Sequence, residues 1–378
     1  MPKLPRLSPA PLVLTLILSA SAISAQQTPE STTLGGYGEV HYTNRSGPGT
    51  PGEVNVKRFV IFLAHSFNDR LAVRSELELE DTKIEGGAGG GEVALEQLFL
   101  DYRLSDAVSL RTGLVLVPIG IINETHEPPT FNGVARPNFD QEVLPTTWRE
   151  IGVGAAGSVP GGHGLGYRLF LVSGLRAEGF SGTTGIRGGR QEGKEAGFAN
   201  PSLTGRLEWT RPGLRLGSAF WYGGSAAQDS VLGLGAFAAP VLVLAADVRY
   251  DIGAFAFRGV AARISVADAE AINARFATDV GRRIEGGYLE GAVNLLRLLV
   301  PSTGQRLLAF VRHERYDLHA AVPTGTAAND SYARRVTTVG LSYKPLWNVV
   351  FKADYQLNRN RAGLGQDEAL ALGIGYQF

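Results

Sequence analysis

Ala369-Leu-Ala-Leu-Gly-Ile-Gly-Tyr-Gln-Phe378 ends the chain, and its period decides the fold. Successive side chains of an extended strand point to opposite faces, so Leu370, Leu372, Ile374, Tyr376 and Phe378 share one face. Ala369, Ala371, Gly373, Gly375 and Gln377 share the other. Trp347 to Arg359 repeats the pattern, with Val349, Phe351, Ala353, Tyr355 and Leu357 against Lys352, Asp354, Gln356 and Asn358. So does Arg70 to Glu80, where Leu71, Val73, Leu77 and Leu79 oppose Arg70, Arg74, Glu76, Glu78 and Glu80. Each such strand separates an apolar environment from a polar one.

A soluble β-sandwich also alternates, so the spacing of breaks carries the distinction. Strands are expected at 34–43, 54–66, 70–81, 92–104, 107–117, 148–159, 165–175 and 202–211. Eight more follow at 214–223, 240–250, 252–266, 282–299, 305–318, 333–345, 347–359 and 367–378. Connections after even-numbered strands are tight, among them Phe67-Asn68-Asp69, Ser105-Asp106 and Pro212-Gly213. Those after odd-numbered strands are long, the longest being 118–147. That parity belongs to an up-and-down transmembrane barrel with short periplasmic turns and long extracellular loops. The expected fold is therefore all-β: an antiparallel barrel of about sixteen strands, with fourteen or eighteen as alternatives.

Composition agrees. The 378 residues carry formal charge zero, 49 Gly and no Cys, which fits neither a disordered chain nor a disulfide framework. The neutral balance argues against nucleic acid as a partner. Lys3 and Arg6, an apolar run from Ala10 to Leu18, and the small residues Ala20-Ser21-Ala22 and Ser24-Ala25 form a Sec-type signal peptide over 1–25. Cleavage is expected after Ala25 or Ala22, leaving 26–378 as the barrel domain. The apolar run is about half the ~20 residues that cross a bilayer as a helix. Further on, the most apolar stretch, Val231 to Ala246, is interrupted by Gly233, Gly235 and Pro240. Membrane residence must then come from a closed barrel, which satisfies every backbone group in lipid.

Arg70, Arg74, Glu76, Glu78, Lys352 and Asp354 are expected to face the lumen. A barrel of this strand number is too wide for side chains to fill, so the lumen should be an aqueous channel rather than a packed core. Tyr37, Tyr42, Tyr102, Trp148, Trp209, Trp221, Tyr250, Trp347 and Tyr376 lie near strand ends and suit interfacial girdles.

The terminal run Leu370, Leu372, Ile374, Tyr376 and Phe378 resembles the signal read by the outer-membrane barrel assembly machinery. Gly113-Leu-Val-Leu-Val-Pro-Ile-Gly120, then Asn123-Glu-Thr-His126-Glu-Pro-Pro129 and Leu144-Pro-Thr-Thr-Trp-Arg-Glu-Ile-Gly152, resemble the phosphate-selective porin O and P family. The likeness is densest over 107–180. It implies a trimeric outer-membrane barrel of a Gram-negative-type bacterium, set in lipid and lipopolysaccharide, whose third extracellular loop folds inward as a constriction. Residues 118–147 are third in the loop order independently of that resemblance. Pro118, Pro128, Pro129, Pro137 and Pro145 fix the loop's backbone. The expected constriction residues are Glu124, His126, Glu127, Arg136, Asp140, Glu142 and Arg149, with Glu150 at the return. Arg outnumbers Lys thirty to six, and the planar Arg fork suits phosphate or carboxylate. The family's pore lysine cluster has no counterpart here. The loop carries more acids than bases, and without Lys3 and Arg6 the remaining balance is 34 bases to 36 acids. Opposed acidic and basic walls of a general porin fit these charges at least as well as phosphate selection.

Glu124, His126 and Glu127 read as solvated or wall-tied groups rather than metal ligands, and no cofactor is expected. Arg136 and Arg149 are pore selectors or braces to Asp140 or Glu150. Glu76, Glu78, Glu80 and Asp81 need no calcium if they face water. The glycines of 86–91 and 161–166 lack nucleotide-motif spacing. No G-x-S-x-G elbow or Ser-His pairing appears, so catalysis is not expected. The function these readings support is passive diffusion of small hydrophilic solutes or ions. A secreted or surface-attached ligand-binding β-sandwich is the alternative, and a barrel enzyme a weaker one.

Overall fold

The computed structural model describes residues 30–46, 51–81, 91–226, 238–364 and 367–378. The 1–25 segment lies outside these. The chain forms sixteen strands: β1 (Ser31–Arg45), β2 (Glu53–Ser66), β3 (Leu71–Glu80), β4 (Glu92–Ser105), β5 (Val108–Leu116) and β6 (Arg149–Ser158). Next come β7 (Leu165–Val172), β8 (Ser202–Arg211), β9 (Leu214–Gly224), β10 (Pro240–Ile252) and β11 (Phe255–Val266). The last are β12 (Arg283–Asn294), β13 (Arg306–Ala321), β14 (Ala333–Leu346), β15 (Val349–Asn360) and β16 (Glu368–Gln377). Every strand pairs antiparallel with its sequence neighbours. β1 pairs with β16, from Tyr37 opposite Gln377 to Arg45 opposite Ala369. The ring is closed and has no edge, which overturns the two-sheet sandwich alternative.

The chain's last strand shows what sets the two faces. Leu370, Leu372 and Ile374 are nearly half exposed, where lipid would cover them, while Ala369 and Ala371 are buried inside. Gly373 and Gly375 are small because a loop lies against them. A Cβ on Gly375 would stand 2.4 Å from Cβ of Pro128, and one on Gly373 would stand 3.0 Å from Cγ1 of Val134.

Four expectations are corrected. The interior is not uniformly polar: the inner faces of β10 and β11 present Val241, Val243, Val260 and Ile264 to a core that includes Phe131, Phe139, Leu144 and Phe180 from inward loops. Three girdle aromatics point the other way. Tyr37, Trp148 and Trp221 are buried inside, Trp148 and Trp221 with ring centroids 4.4 Å apart, whereas Tyr102, Tyr250, Trp347 and Tyr376 stay outside and exposed. The twelfth strand stops at Asn294, and 295–299 form a short helix. The Asn294 side chain caps that helix by accepting from Arg297 N at 3.4 Å. Finally, Arg70 is not a strand residue, since β3 begins at Leu71. It stands exposed in the turn before β3, where Asn68 Oδ1 accepts from Arg70 N and Leu71 N, each at 2.9 Å.

Candidate pore constriction

Residues 117–148, here L3, leave β5 where Pro118 can no longer donate to the ladder. Asn123 closes the neck of the loop. Its Nδ2 donates to Val117 O at 2.7 Å and Trp148 O at 2.9 Å, and its Oδ1 accepts from Trp148 N at 2.7 Å. From there L3 crosses the barrel, and charged wall groups satisfy its backbone. Lys344 Nζ donates to Pro129 O at 2.6 Å, Lys352 Nζ to Gly133 O at 2.7 Å, and Arg258 to Thr130 O at 2.8 Å. Asp354 accepts from Val134 N at 2.6 Å and Glu314 from Phe139 N at 2.7 Å. Hydrogen bonds to charged groups stabilise by about 1.5–3 kcal/mol each. L3 is therefore a strap fixed from several strands, not a free loop. Lys352 and Asp354 hold that strap, and Lys352 Nζ also sits 3.6 Å over the Phe131 ring.

The strap separates two chambers. The lower one, near the short turns, has a volume of about 390 Å³ and is lined by Arg74, Arg111, Arg168, Arg206, Arg215 and Arg249 against only Glu124 and Glu208. Arg206 pairs with Asp247 at 2.6 Å and Glu208 at 2.9 Å, Arg111 with Asp101 at 2.7 Å, and Arg168 with Glu124 at 2.9 Å. Arg74 and Arg215 have no acidic partner among the described residues. The upper chamber, about 320 Å³, mixes both signs: Glu39, Glu78, Glu80 and Glu92 share the wall with Lys57, Arg58 and Arg149, and the inward loops add Arg136, Arg187, Arg190 and Glu192. Arg187 and Arg190 come from the next loop, 173–201, and donate to the carbonyls of Gln141 and Pro145 at 2.8 and 3.3 Å.

The seven expected constriction residues do not form one ring. Arg136 and Arg149 line the upper chamber and Glu124 the lower. Glu142 faces Arg334 at 3.4 Å. Arg149 lies 3.6 Å from Glu192, not beside Asp140 or Glu150. Glu150 instead accepts from Ser173 Oγ at 2.6 Å and Trp148 Nε1 at 3.2 Å. Glu127 is half-buried, and one of its carboxyl oxygens has no hydrogen-bond partner among the described residues. Asp140 is buried, and neither of its carboxyl oxygens has a hydrogen-bond partner among the described residues. Burial and then the Glu314 charge push its pKa up to about 8, with Tyr288 and Arg312 opposing. His126 is buried between the carboxylates of Glu76 and Glu96. Burial alone would lower its pKa, but the charges of Glu96 and Glu76 outweigh that and hold it above the ordinary imidazole range.

Sequence reasoning missed Glu96 and, of the lower-chamber arginines, all but Arg74. Both left a trace. Leu95-Glu96-Gln97-Leu98 puts two polar residues where alternation allows one. Arg74, Arg111, Arg168 and Arg215 each stand a few residues beyond a short turn, so their recurrence marks one level of the wall.

A closed sixteen-stranded barrel with an inward third loop defines the class: the fold of bacterial outer-membrane porins. Salmonella typhi OmpF, solved with daunomycin, superposes with a TM-score of 0.60 at 14% identity over 92% of this chain and 97% of that one. The outer membrane channel DcaP of Acinetobacter baumannii superposes with a TM-score of 0.58 at 11% identity, over 92% of this chain and 97% of that one. In sequence, an uncharacterized protein of Aquifex aeolicus (strain VF5) is 33% identical over 350 residues, covering 89% of this chain and 78% of that protein. The chain belongs to the family of that protein. No protein-family model matches it. The resemblance to phosphate-selective porins thus extends to the general porin barrel and no further.

Proposed function

We propose that this barrel is an outer-membrane diffusion channel for small hydrophilic solutes, with anions favoured. The observation that carries the reading is the lower chamber, where six arginines face two glutamates behind a strapped L3. Like charges on neighbouring strands destabilise a sheet. Arg215 and Arg249 are directly opposed, as are Arg249 and Arg258. A wall that tolerates this is arranged to attract anions and to replace part of their hydration. Guanidinium forks suit carboxylate and phosphate alike, so phosphate is one solute of the class. Arg136, Glu124 and Glu142 of L3, with Arg149 at the start of β6, bias charge, and residues 118–147 set the pore size. Export by cleavage after Ala25 or Ala22, insertion through the Phe378 signal among lipid and lipopolysaccharide, and a homotrimer complete the reading. The fold shared with porins and channels argues against catalysis.

Single-channel recording of the purified protein in planar bilayers under a salt gradient tests it. The expected result is ohmic conductance with a reversal potential on the anion-selective side. A cation-selective potential overturns the anion preference, and a silent bilayer after verified insertion overturns the channel.

A further inference from the structure

We propose that Glu76, Glu96 and His126 form a divalent-cation site of the zinc class, which locks L3 to the barrel wall between the two chambers. His126 Nε2 stands 3.2 Å from Glu76 Oε1 and 3.2 Å from Glu96 Oε2. All three ligand atoms lie within 4.8 Å of one another. Tetrahedral coordination with bonds of ~2.0–2.1 Å sets neighbouring ligand atoms ~3.3 Å apart, so an ion fits with little movement of the backbone. Two carboxylates and one neutral imidazole also balance a dication. A mixed nitrogen and oxygen set favours Zn²⁺ over Ca²⁺ or Mg²⁺.

The outer shell is built as well. The second polar atom of each ligand is held: His126 Nδ1 by Asn123 O at 3.1 Å, Glu76 Oε2 by Gln97 Nε2 at 2.6 Å, and Glu96 Oε1 by Thr147 Oγ1 at 2.5 Å. An Nδ1–H donated to Asn123 O leaves the Nε2 lone pair facing the carboxylates, which is the tautomer a metal needs. A β-bulge supplies the third ligand. Gln97 pairs with Glu76 and Leu95 with Leu77, which leaves Glu96 as the extra residue of β4. In a regular strand one of Glu96 and Gln97 would face outward. The bulge turns both inward, one as ligand and the other as clamp on Glu76. Fully buried Tyr37 sets its ring edge-on to His126 with centroids 6.0 Å apart, and its hydroxyl has no hydrogen-bond partner among the described residues. A water on the ion's fourth position gives that hydroxyl a partner.

The place of the trio gives the site its effect. Along β3, Arg74 lines the lower chamber, and Glu78 and Glu80 line the upper one. Glu76 stands between them, so the ion would fasten the septum.

The test uses full-length protein in detergent, stripped by a chelator, dialysed against Zn²⁺, and analysed by elemental mass spectrometry. About one zinc per chain is expected, with less than a tenth of that in Glu96→Gln and His126→Gln and no change in Glu80→Gln. Thr147→Val keeps all three ligands and should weaken affinity about 10–100-fold, and heat-modifiable gel mobility checks that each variant is folded. Co²⁺ in place of Zn²⁺ should give tetrahedral visible absorption that His126→Gln lacks. Wild-type protein without stoichiometric zinc, or His126→Gln binding as wild type does, overturns the site and leaves an imidazolium held by two carboxylates. Zinc binding does not depend on conduction, so this proposal and the channel reading fail separately.

Discussion

Asp140 is a carboxyl taken out of water and given no hydrogen-bond partner among the described residues. Burial and Glu314 raise its pKa to about 8, against ~3.9 in an unfolded chain. The sign follows from the two titrations. Below pH ~4 both states are protonated and the site is neutral in its effect. As pH rises towards 8 the unfolded chain ionises and the folded one does not, so stability falls, and the loss levels off above the folded pKa. At about 1.36 kcal/mol per pH unit, the interval from ~3.9 to about 8 bounds the effect at about 5 kcal/mol, so Asp140→Asn should stabilise by up to that much at pH 8 and by nothing below pH 4. Urea midpoints of wild type and variant measured from pH 4 to 9 check this, and parallel curves would count against it. At this scale the sequence was least informative. Asp140 and Glu142 look alike in a string of letters, and only the fold pairs one with Arg334 and leaves the other buried with no ion-pair partner among the described residues. His126 read as either solvated or wall-tied, and its partners were not legible, because Glu76 is fifty residues away. Glu96 was hidden by the bulge that aims it.

Elements were legible wherever their two faces differ. β3, β15 and β16 separate lipid from polar or closely packed interior, and their alternation is clean. At their loop ends β10 and β11 are apolar inside as well as outside, because Val241, Val243, Val260 and Ile264 pack on inward loops, so period two fades there. Leu295-Leu-Arg-Leu-Leu299 fits a strand or a helix equally well, and the Asn294 cap chose the helix. L3 was found by length and order, but the way it is held was not. Two predictions belong here. Gly375→Val inserts atoms where a Cβ already meets Pro128 at 2.4 Å, and overpacking of this kind costs about 1–3 kcal/mol. It should lower the temperature at which the folded gel band is lost, while Gly304→Ala, with nothing within 4 Å, should leave it unchanged. The double variant Lys344→Met with Lys352→Met removes two charged donors from the carbonyls of Pro129 and Gly133. At about 1.5–3 kcal/mol for each bond, L3 should loosen, and single-channel records should turn from steady to flickering. Steady records of unchanged amplitude would show that other contacts hold the strap.

At the scale of the whole molecule, closure and charge act together. Phe378 N and O exchange hydrogen bonds with Gly36 at 2.9 and 3.0 Å, so the residue that ends the chain also seals the ring. A sealed ring forces inward whatever alternation does not send to lipid, and the formal charge of zero over all 378 residues conceals how those charges are sorted. Acids and bases meet across the upper chamber, while bases dominate the lower one. Net charge was therefore a poor guide to selectivity, since an ion responds to the charges beside its path. Of the six lower-chamber arginines, Arg74 and Arg215 are exposed to the chamber and have no acidic partner among the described residues. They should contribute more to selectivity than Arg206, whose charge Asp247 and Glu208 already answer. A unit charge ~7 Å from an ion in water is worth about 0.6 kcal/mol, or roughly threefold in relative permeability. Arg74→Ala with Arg215→Ala should therefore lower the anion-to-cation permeability ratio by up to about tenfold, with the effect shrinking as salt rises past 0.1 M. Reversal potentials in a KCl gradient measure it, with Arg103→Ala, outside the lining of both chambers, as the control. A double variant that keeps the wild-type potential at low salt would remove the lower chamber from the ion path.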